Sequence, residues 1–429
     1  MSMRNSLALL GGEPVRKIPY PVHTTIIDDT EEKAVLAVLR NGHLSGFSGR
    51  AGERFLGGPK VREVEEQFAK YFGVQHAVSF NSATSALHGA VAALEIGPGD
   101  EVITSPFTMS ATASSILMQN AIPIFADIED RTYGLDPKSV EEKISSRTRA
   151  ILTVNLFGHP SHLSELRTIA DQHKLALIED NAQSPAATYR GQFSGTVGDI
   201  GILSLNYHKA IQTGEGGIAL TNGPDLALRM QLMRNHGEAV VDDMNLGDLP
   251  NQLGWNYRLT ELQAAIGICQ LEKLEMFNGI RRELASLLTK GLREFDFISL
   301  PVIESDCTHS FYLYPLRYHA DRLGIERELF VKALKAEGVS VAAGYAKPLY
   351  WYSMYQKKLA YGRSGYPFTC HGEERLPSYQ KGICPTAERL YSKEMMTTDI
   401  CKYPNTESEI EEFVTAVQKI RSQIGALKL

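Results

Sequence analysis

Between residues 60 and 222 short apolar runs alternate with segments of helical periodicity, and no other feature of the chain restricts its fold as tightly. The runs are "HAVSF" (76–80), "EVITS" (101–105), "IPIFADI" (122–128), "RAILTVNLFG" (149–158), "LALIED" (175–180), "DIGILSL" (199–205) and "GIALTN" (217–222). Helix-like stretches, "SALHGAVAAL", "SSILMQN", "PKSVEEKIS" and "HLSELRTIADQHK", separate the earlier ones. Near-continuous apolar strands are buried on both faces, so the alternation predicts an α/β fold with a mostly parallel sheet covered by helices. The last two runs are joined by a glycine-rich turn with no helix between them, and these two could pair in another sense. Ahead of the first run, "VREVEEQFAKYFG" places Val61, Val64, Phe68, Tyr71 and Phe72 on one helical face and ends at Gly73.

Residues 259–277, "LTELQAAIGICQLEKLEMF", read as one long amphipathic helix. The character then changes. "HSFYLYPLRY" (309–318), a helix near 325–337, "GVSVAAGY" (338–345) and a final helix "SEIEEFVTAVQKIRSQI" (408–424) predict a smaller α+β domain. The expected division is an N-terminal arm and large domain over residues 1–280 and a small domain over 281–429. Residues 355–384, rich in Tyr, Gly and charge, are longer than a usual connection, which marks them as functional or mobile. At 429 residues the chain can support both cores.

The net charge of −6 carries none of the clustered basic excess that nucleic acid requires. Five scattered cysteines, none in a CxxC pair, point to free thiols in a reducing compartment. The opening "MSMRNSLALLGGEPVRK" has too short an apolar run for a signal peptide, and nothing approaches the ~20 apolar residues of a membrane span. A cytoplasmic protein is expected.

In open parallel sheets ligands bind beyond the carboxyl ends of the strands, so the polar residues that end each run carry the most information. Run 76–80 leads into "NSATSAL" and a helix. Ser82, Thr84 and Ser85 thereby bring hydroxyls and backbone N–H groups to a helix N-terminus, where an anion such as phosphate is favoured. Taken alone, these residues serve equally well as N-caps. Asp180 ends run 175–180 at the same rim, where by itself it could cap a turn. Run 199–205 passes Ser204 and reaches Lys209 in "SLNYHKAIQTGEGG", although a lone lysine is ordinarily a solvated surface residue. An anion cradle, a carboxylate and an amine at one sheet edge together fit pyridoxal phosphate. The amine bonds its aldehyde, the carboxylate keeps its ring nitrogen protonated, and the cradle holds its phosphate.

The chain resembles the DegT/StrS-type family of pyridoxal-phosphate-dependent sugar aminotransferases, within fold type I. The motifs that carry the likeness are "KAIQTGEGG", "SATSAL", "GPGDEVI" (97–103), "IEDNAQSPAATYRG" (178–191) and "NYR" (256–258). The likeness runs from about residue 10 to the last helix, and 355–384 is its least matching part. By this resemblance Lys209 looks like the lysine that bonds the cofactor, and Asp180 like the partner of its ring nitrogen. Gln183 would lie near the ring hydroxyl, Thr84, Ser85 and Ser204 would hold the phosphate, and Asn256 would reach the cofactor of a second subunit in an obligate homodimer. The family's activity implies ping-pong transfer from glutamate or glutamine, through pyridoxamine phosphate, to a polyhydroxylated ketone. A nucleotide keto-sugar, a keto-inositol such as scyllo-inosose or an 8-keto-octulosonate are the implied acceptors. The glycines around Glu215 would let the backbone turn closely past the cofactor.

Several positions depart from the family pattern. Ala83 stands where a glycine is usual, and Asn155 replaces a histidine in "VNLFG". Met109 occupies the place that generally stacks an aromatic on the cofactor face, with Phe107 the substitute if the register differs. Arg50, His236 and Lys347 are candidates to meet an anionic group on the substrate, and Tyr345 to stack or hydrogen-bond. A dehydratase branch of the family carries histidine for the lysine. Here the spacing to "GEGG" puts Lys209 in register and not His208, which favours transamination. A non-catalytic regulator that keeps the fold is the other alternative. No metal site is expected; "HPSHLSE" (159–165) reads as a loop entering a helix.

Overall fold

All seven apolar runs become strands of one sheet. In the computed structural model, which describes residues 6–22, 25–370, 372 and 377–428, these are β1 (His76–Phe80), β2 (Glu101–Thr104), β3 (Ile122–Phe125), β4 (Thr148–Val154) and β5 (Ala176–Asp180). After a small hairpin, β6 (Thr188–Tyr189) and β7 (Gln192–Phe193), come β8 (Ile200–Ser204) and β9 (Gly217–Thr221). The strand order is β1-β9-β8-β5-β4-β2-β3. β9 runs antiparallel to both of its neighbours, β1 and β8, while the other pairings are parallel. The reversal follows from the connection, because the turn between β8 and β9 contains no crossover helix to carry the chain back.

The period-two alternation of each strand divides its side chains between two cores. Val102, Leu152, Ile178 and Ile202 pack on α3 (Ala83–Ala93), α4 (Ala111–Met118) and α7 (Pro224–Arg234). Their neighbours Ile103, Ile151 and Leu177 pack on the opposite face with Leu166, Ile169 and Ala170 of α6 (Leu163–His173). Among the longer helices, α7 and α1 (Asp29–Asn41), which a capping box between Asp28 and Glu31 starts and Gly42 ends, stand outside the sequence-based reading.

The long helix, α8 (Glu261–Leu292), runs unbroken through position 280. Its first half places Ala264, Ile268, Leu271, Leu274 and Phe277 against α2 (Pro59–Phe72) and the β8–β9 region. Its second half places Leu284, Ala285, Leu288 and Leu292 in a separate core, built around the antiparallel strands β10 (Ile298–Ser299), β11 (Tyr314–Tyr318), β12 (Ala342–Ala343) and β13 (Met395–Thr398). The N-terminal arm joins this second core. Leu7 is buried in it, and the buried Arg16 pairs with Glu409 and Glu412 of the helix Glu407–Ser422.

"HSFYLYPLRY" is a strand only from Tyr314, because residues 309–313 form a tight turn with Phe311 at φ 47°. The segment 355–384, outside positions 371 and 373–376, packs on the edge of the large sheet. Tyr355, Phe368 and Tyr379 surround Phe125 of β3, and the Tyr379 hydroxyl donates to the carbonyl of Pro123 at 2.8 Å. An exposed edge strand is thereby covered. Among the described residues no helix is long and apolar enough to cross a membrane.

Candidate active site

The carboxyl ends of β1, β5 and β8 open onto one cleft. Ser82, Ala83, Thr84, Asp180, Ser204 and Lys209 line it, with Gln183, Thr108 and Met109 beside them. Topology alone brings together groups up to 127 residues apart in the chain, because parallel strands all deliver their last residues to the same edge.

Lys209 follows β8 by a turn closed from its own backbone N–H to the carbonyl of Asn206 at 2.9 Å. Its side chain is only 9% exposed. Burial lowers the amine from its ordinary 10.5 to about 8; Asp180 opposes that fall and Arg281 adds to it. Among the described residues the amine makes no hydrogen bond or ion pair, and the nearest group described against it is the ring of Tyr312, with Nζ 4.4 Å from the ring centre. His208, next in the chain, is exposed.

Asp180 is the last residue of β5. Its carboxylate accepts from the Thr112 hydroxyl at 2.8 Å and from the backbone of Ala182 at 3.2 Å. Burial raises this carboxyl, and the two hydrogen bonds together with Lys209 hold it down. Its chain neighbour Glu179 points to the opposite side, where Asn155 and the backbone N–H groups of Gly195, Val197 and Gly198 enclose it. Asn155, the substitute for histidine, serves this buried network.

The third wall is the start of α3. Ser82 caps the helix in a reciprocal box with Ser85, and the Ser85 hydroxyl also donates to Asn81 at 2.6 Å. Ser85 is thus turned into the capping network, and Ser82, Ala83 and Thr84 face the cleft instead. Gly217, at the start of β9, passes directly beneath this turn. A Cβ there would lie 2.5 Å from the backbone of Ser82 and 2.6 Å from Ala83 N, so only glycine fits. The turn before it is tied to the Lys209 loop by Asn206, whose side chain donates to the Glu215 carboxylate at 2.8 Å.

The remaining candidates fall into two groups. Met109, 59% exposed, lines the cleft, whereas Phe107 is fully buried among Phe157 and Tyr345. The Gln183 amide is fixed at both ends: its oxygen accepts from Phe157 N at 2.9 Å and its nitrogen donates to the Tyr345 hydroxyl at 2.7 Å. Tyr345 lines an adjoining cleft that shares Thr108 and Met109 with the first. Lys347 is turned onto the Tyr352 ring, 4.1 Å from its centre. Arg50, His236 and Asn256 lie outside this chain's cleft; His236 sits 3.6 Å from Glu238, and Asn256 is exposed and bridged through its backbone to Asn235. In "HPSHLSE", His159 spends one ring nitrogen on the carbonyl of Pro160 and the other on the backbone N–H of Glu304.

Residues 28–381 match the model of the DegT/DnrJ/EryC1/StrS aminotransferase family. The chain belongs to that family. An L-glutamine:2-deoxy-scyllo-inosose aminotransferase of Streptoalloteichus tenebrarius is 32% identical to this aminotransferase, covering 98% of this chain and 99% of that protein. A GDP-perosamine synthase of Caulobacter vibrioides is 38% identical over 65% of this chain and 74% of its own. Among solved structures, an aminotransferase from Psychrobacter cryohalolentis superimposes with a TM-score of 0.81 at 26% identity, covering 95% of this chain and all of that one.

Enzymes of this family work with pyridoxal phosphate, and the cleft suits it. Ala83 and Thr84 line the cavity at the positive end of α3, in the first turn, where backbone N–H groups have no intrahelical partner. A buried carboxylate and a buried amine stand on the other two walls.

Thr112, Asn206 and Tyr312 escaped the sequence-based reading. Thr112 lies three residues beyond Met109, but no spacing rule ties it to Asp180. Tyr312 lies 103 positions beyond Lys209 and carries no local signal.

Proposed function

We propose that this sugar aminotransferase moves an amino group from glutamine or glutamate to the ketone of a cyclic, polyhydroxylated acceptor, in two half-reactions at one site. The observation that carries the reading is the buried Lys209 amine, sharing a cleft with buried Asp180 and the start of α3. Pyridoxal phosphate, when bound, supplies a carbonyl carbon to bond amines and a cationic ring that accepts the electrons left when a proton is removed.

The chain's own residues do the rest. Lys209 Nζ would carry a proton between the substrate carbon and the cofactor carbon in each half-reaction, off the donor carbon in the first and onto the acceptor carbon in the second. With its amine near 8, roughly a quarter is neutral at pH 7.5, against about one part in a thousand for an ordinary lysine. The Asp180 carboxylate, positioned by its hydrogen bonds from Thr112 and Ala182, would hold the proton on the ring nitrogen. The α3 N–H groups with Thr84 and Ser204 bind the phosphate, Ser82 and Ser85 keep that turn in shape, and Gln183 orients the ring from the side. Met109, which lines the cleft, would contact the ring. Asn256, exposed and outside its own cleft, would serve the cleft of a second copy in a homodimer.

A keto-inositol is the favoured acceptor, since the inosose aminotransferase is similar over nearly the whole chain, including the 355–384 segment, whereas the perosamine synthase matches 65% of it.

The test uses the full chain saturated with pyridoxal phosphate. Borohydride should fix the cofactor on the peptide containing Lys209, and glutamine or glutamate should bleach the visible absorbance. A panel of ketones, scyllo-inosose and a nucleotide keto-sugar among them, should then restore it. Fixation on a different lysine, or no bleaching by either donor, would refute the reading.

A further inference from the structure

The Tyr312 ring is held where it is by an expensive arrangement. Arg281, 3% exposed on α8, makes no ion pair among the described residues, and Asp399 is the carboxylate whose charge reaches it. It spends its guanidinium on two carbonyls, those of Phe311 at 3.0 Å and Tyr312 at 3.3 Å. A buried cation needs hydrogen bonds to offset its desolvation, and here they tie the guanidinium to the turn that carries Tyr312. The turn it grips is strained: Phe311 sits at φ 47°, and Phe157, on the strand-end it is laced to, at φ 59°. Ser310 N bonds the carbonyl of Gly158 at 2.9 Å, and Leu313 N bonds that of Phe157 at 3.3 Å. The Phe311 ring stacks on His309 at 3.9 Å, and its N–H donates to that imidazole at 2.8 Å. Two bulky residues at positive φ, over-determined on every side, mark a turn whose position matters. Its one side chain aimed at the reacting lysine is Tyr312.

We propose that Tyr312 is a further catalytic residue of this enzyme, its ring face receiving the Lys209 ammonium group whenever that lysine is not bonded to the cofactor. The inference rests on the function proposed above. In each half-reaction the lysine must give up its bond to the cofactor, pick up a proton and hold it before returning it. A free ammonium swinging in a buried cleft needs a partner that stabilises its charge without accepting its proton. A carboxylate would pin the charge, and water would exchange the proton with solvent. An aromatic face at 4.4 Å attracts the cation and cannot be protonated. The phenol is no competing base or acid near neutral pH, since burial pushes it up to about 12. The other charged groups around the amine are Asp180 on β5, Arg281 on α8, His208 in the same turn and Glu215 across the cleft; Lys402 acts on His208.

The test reads the lysine itself. With the full chain loaded with pyridoxamine phosphate, Lys209 is free, and trace labelling with acetic anhydride from about pH 6 to about pH 10 gives the midpoint of its titration by mass spectrometry. Tyr312→Leu keeps an apolar side chain but removes the ring, so the ammonium form loses its support and the midpoint should fall by about half a unit to one unit. Tyr312→Phe keeps the ring and should stay within about 0.2 units of the wild type. Tyr312→Met replaces the leucine variant if that one does not fold, with the same expectation. A midpoint unchanged in the non-aromatic variant, or moved as far in Tyr312→Phe, overturns the inference while leaving the function standing. A wild-type chain that takes up no pyridoxal phosphate on Lys209 overturns both.

Discussion

Replacing Gly217 by alanine adds a methyl group in the least compressible part of the site. The new carbon would lie 2.5 Å from the carbonyl carbon and oxygen of Ser82 and 2.6 Å from the nitrogen of Ala83, where ordinary contact begins at 3.4 Å. All three neighbours are backbone atoms, so no side chain can swing aside. Either β9 or the start of α3 must move by about 0.9 Å to restore contact. β9 is hydrogen-bonded on both edges, to β1 and β8, so the strain falls on the α3 turn, whose residues line the cleft. Overpacking of this size costs roughly 1–3 kcal/mol of stability. A displacement near 1 Å of donors aimed at a phosphate should also weaken cofactor binding by one to two orders of magnitude, as about 1.5–3 kcal/mol of charge-assisted hydrogen bonding is lost. Gly214→Ala is the control. Gly214 has φ +79° and open space around its Cβ, so it should lose stability through backbone strain of about 1 kcal/mol and leave the α3 turn alone. Fluorescence titration with pyridoxal phosphate and urea unfolding, run on both variants, separate the two effects. Gly217→Ala binding cofactor with wild-type affinity would show that the α3 turn does not hold the phosphate.

Lys209→Met should abolish transamination yet stabilise the cofactor-free chain, because the native state no longer depresses an amine by burial. Lowering the group from 10.5 to about 8 costs on the order of 3 kcal/mol below pH 8. The unfolded chain binds the extra proton between about 8 and 10.5, so the wild type should gain on the variant across that window, and chemical denaturation at pH 7 and pH 10 checks it. Thr112→Val leaves a carboxylate oxygen of Asp180 without its hydroxyl donor. It should cost about 1–3 kcal/mol, and cofactor affinity should decline at a higher pH than in the wild type as the medium is acidified, since Asp180 protonates more readily. Tyr379→Phe removes the hydroxyl that satisfies Pro123 on the edge strand and should lower stability by about 1 kcal/mol; Phe368→Ala, which opens a cavity in the same cluster, should cost about 3–5 kcal/mol, both read as urea midpoints.

Strand and helix identity in the large sheet were legible because hydrophobic periodicity is a local property. Val102 and Ile103 go to opposite faces for a reason visible in six residues of sequence. Lys209, Asp180 and the α3 turn were legible for a related reason, since a parallel sheet sends every strand's carboxyl end to one rim and so turns local strand-ends into a shared site. What the sequence left open depends on direction or distance. The serine pair at 82 and 85 could not be resolved into a cap that faces the cleft and one that faces the helix until both hydroxyls had partners. Met109 and Phe107 are two residues apart on a turn, and only the packing of Phe107 against Phe157 and Tyr345 decided which one reaches the cavity.

The long helix makes the same point at the scale of the chain. Its amphipathic start was plain in the sequence, but a helix that buries its first half in one core and its second half in another contains no break for a reader to find at position 280. Sequence alone therefore determined the sheet, its carboxyl rim and the three chemical groups placed there, because each depends on residues within a few positions of one another. Tertiary structure alone decided which atoms face the cavity, that Thr112 serves Asp180, and that Tyr312 lies over Lys209. Those contacts join segments tens to about a hundred residues apart, and no pattern in the intervening chain encodes them.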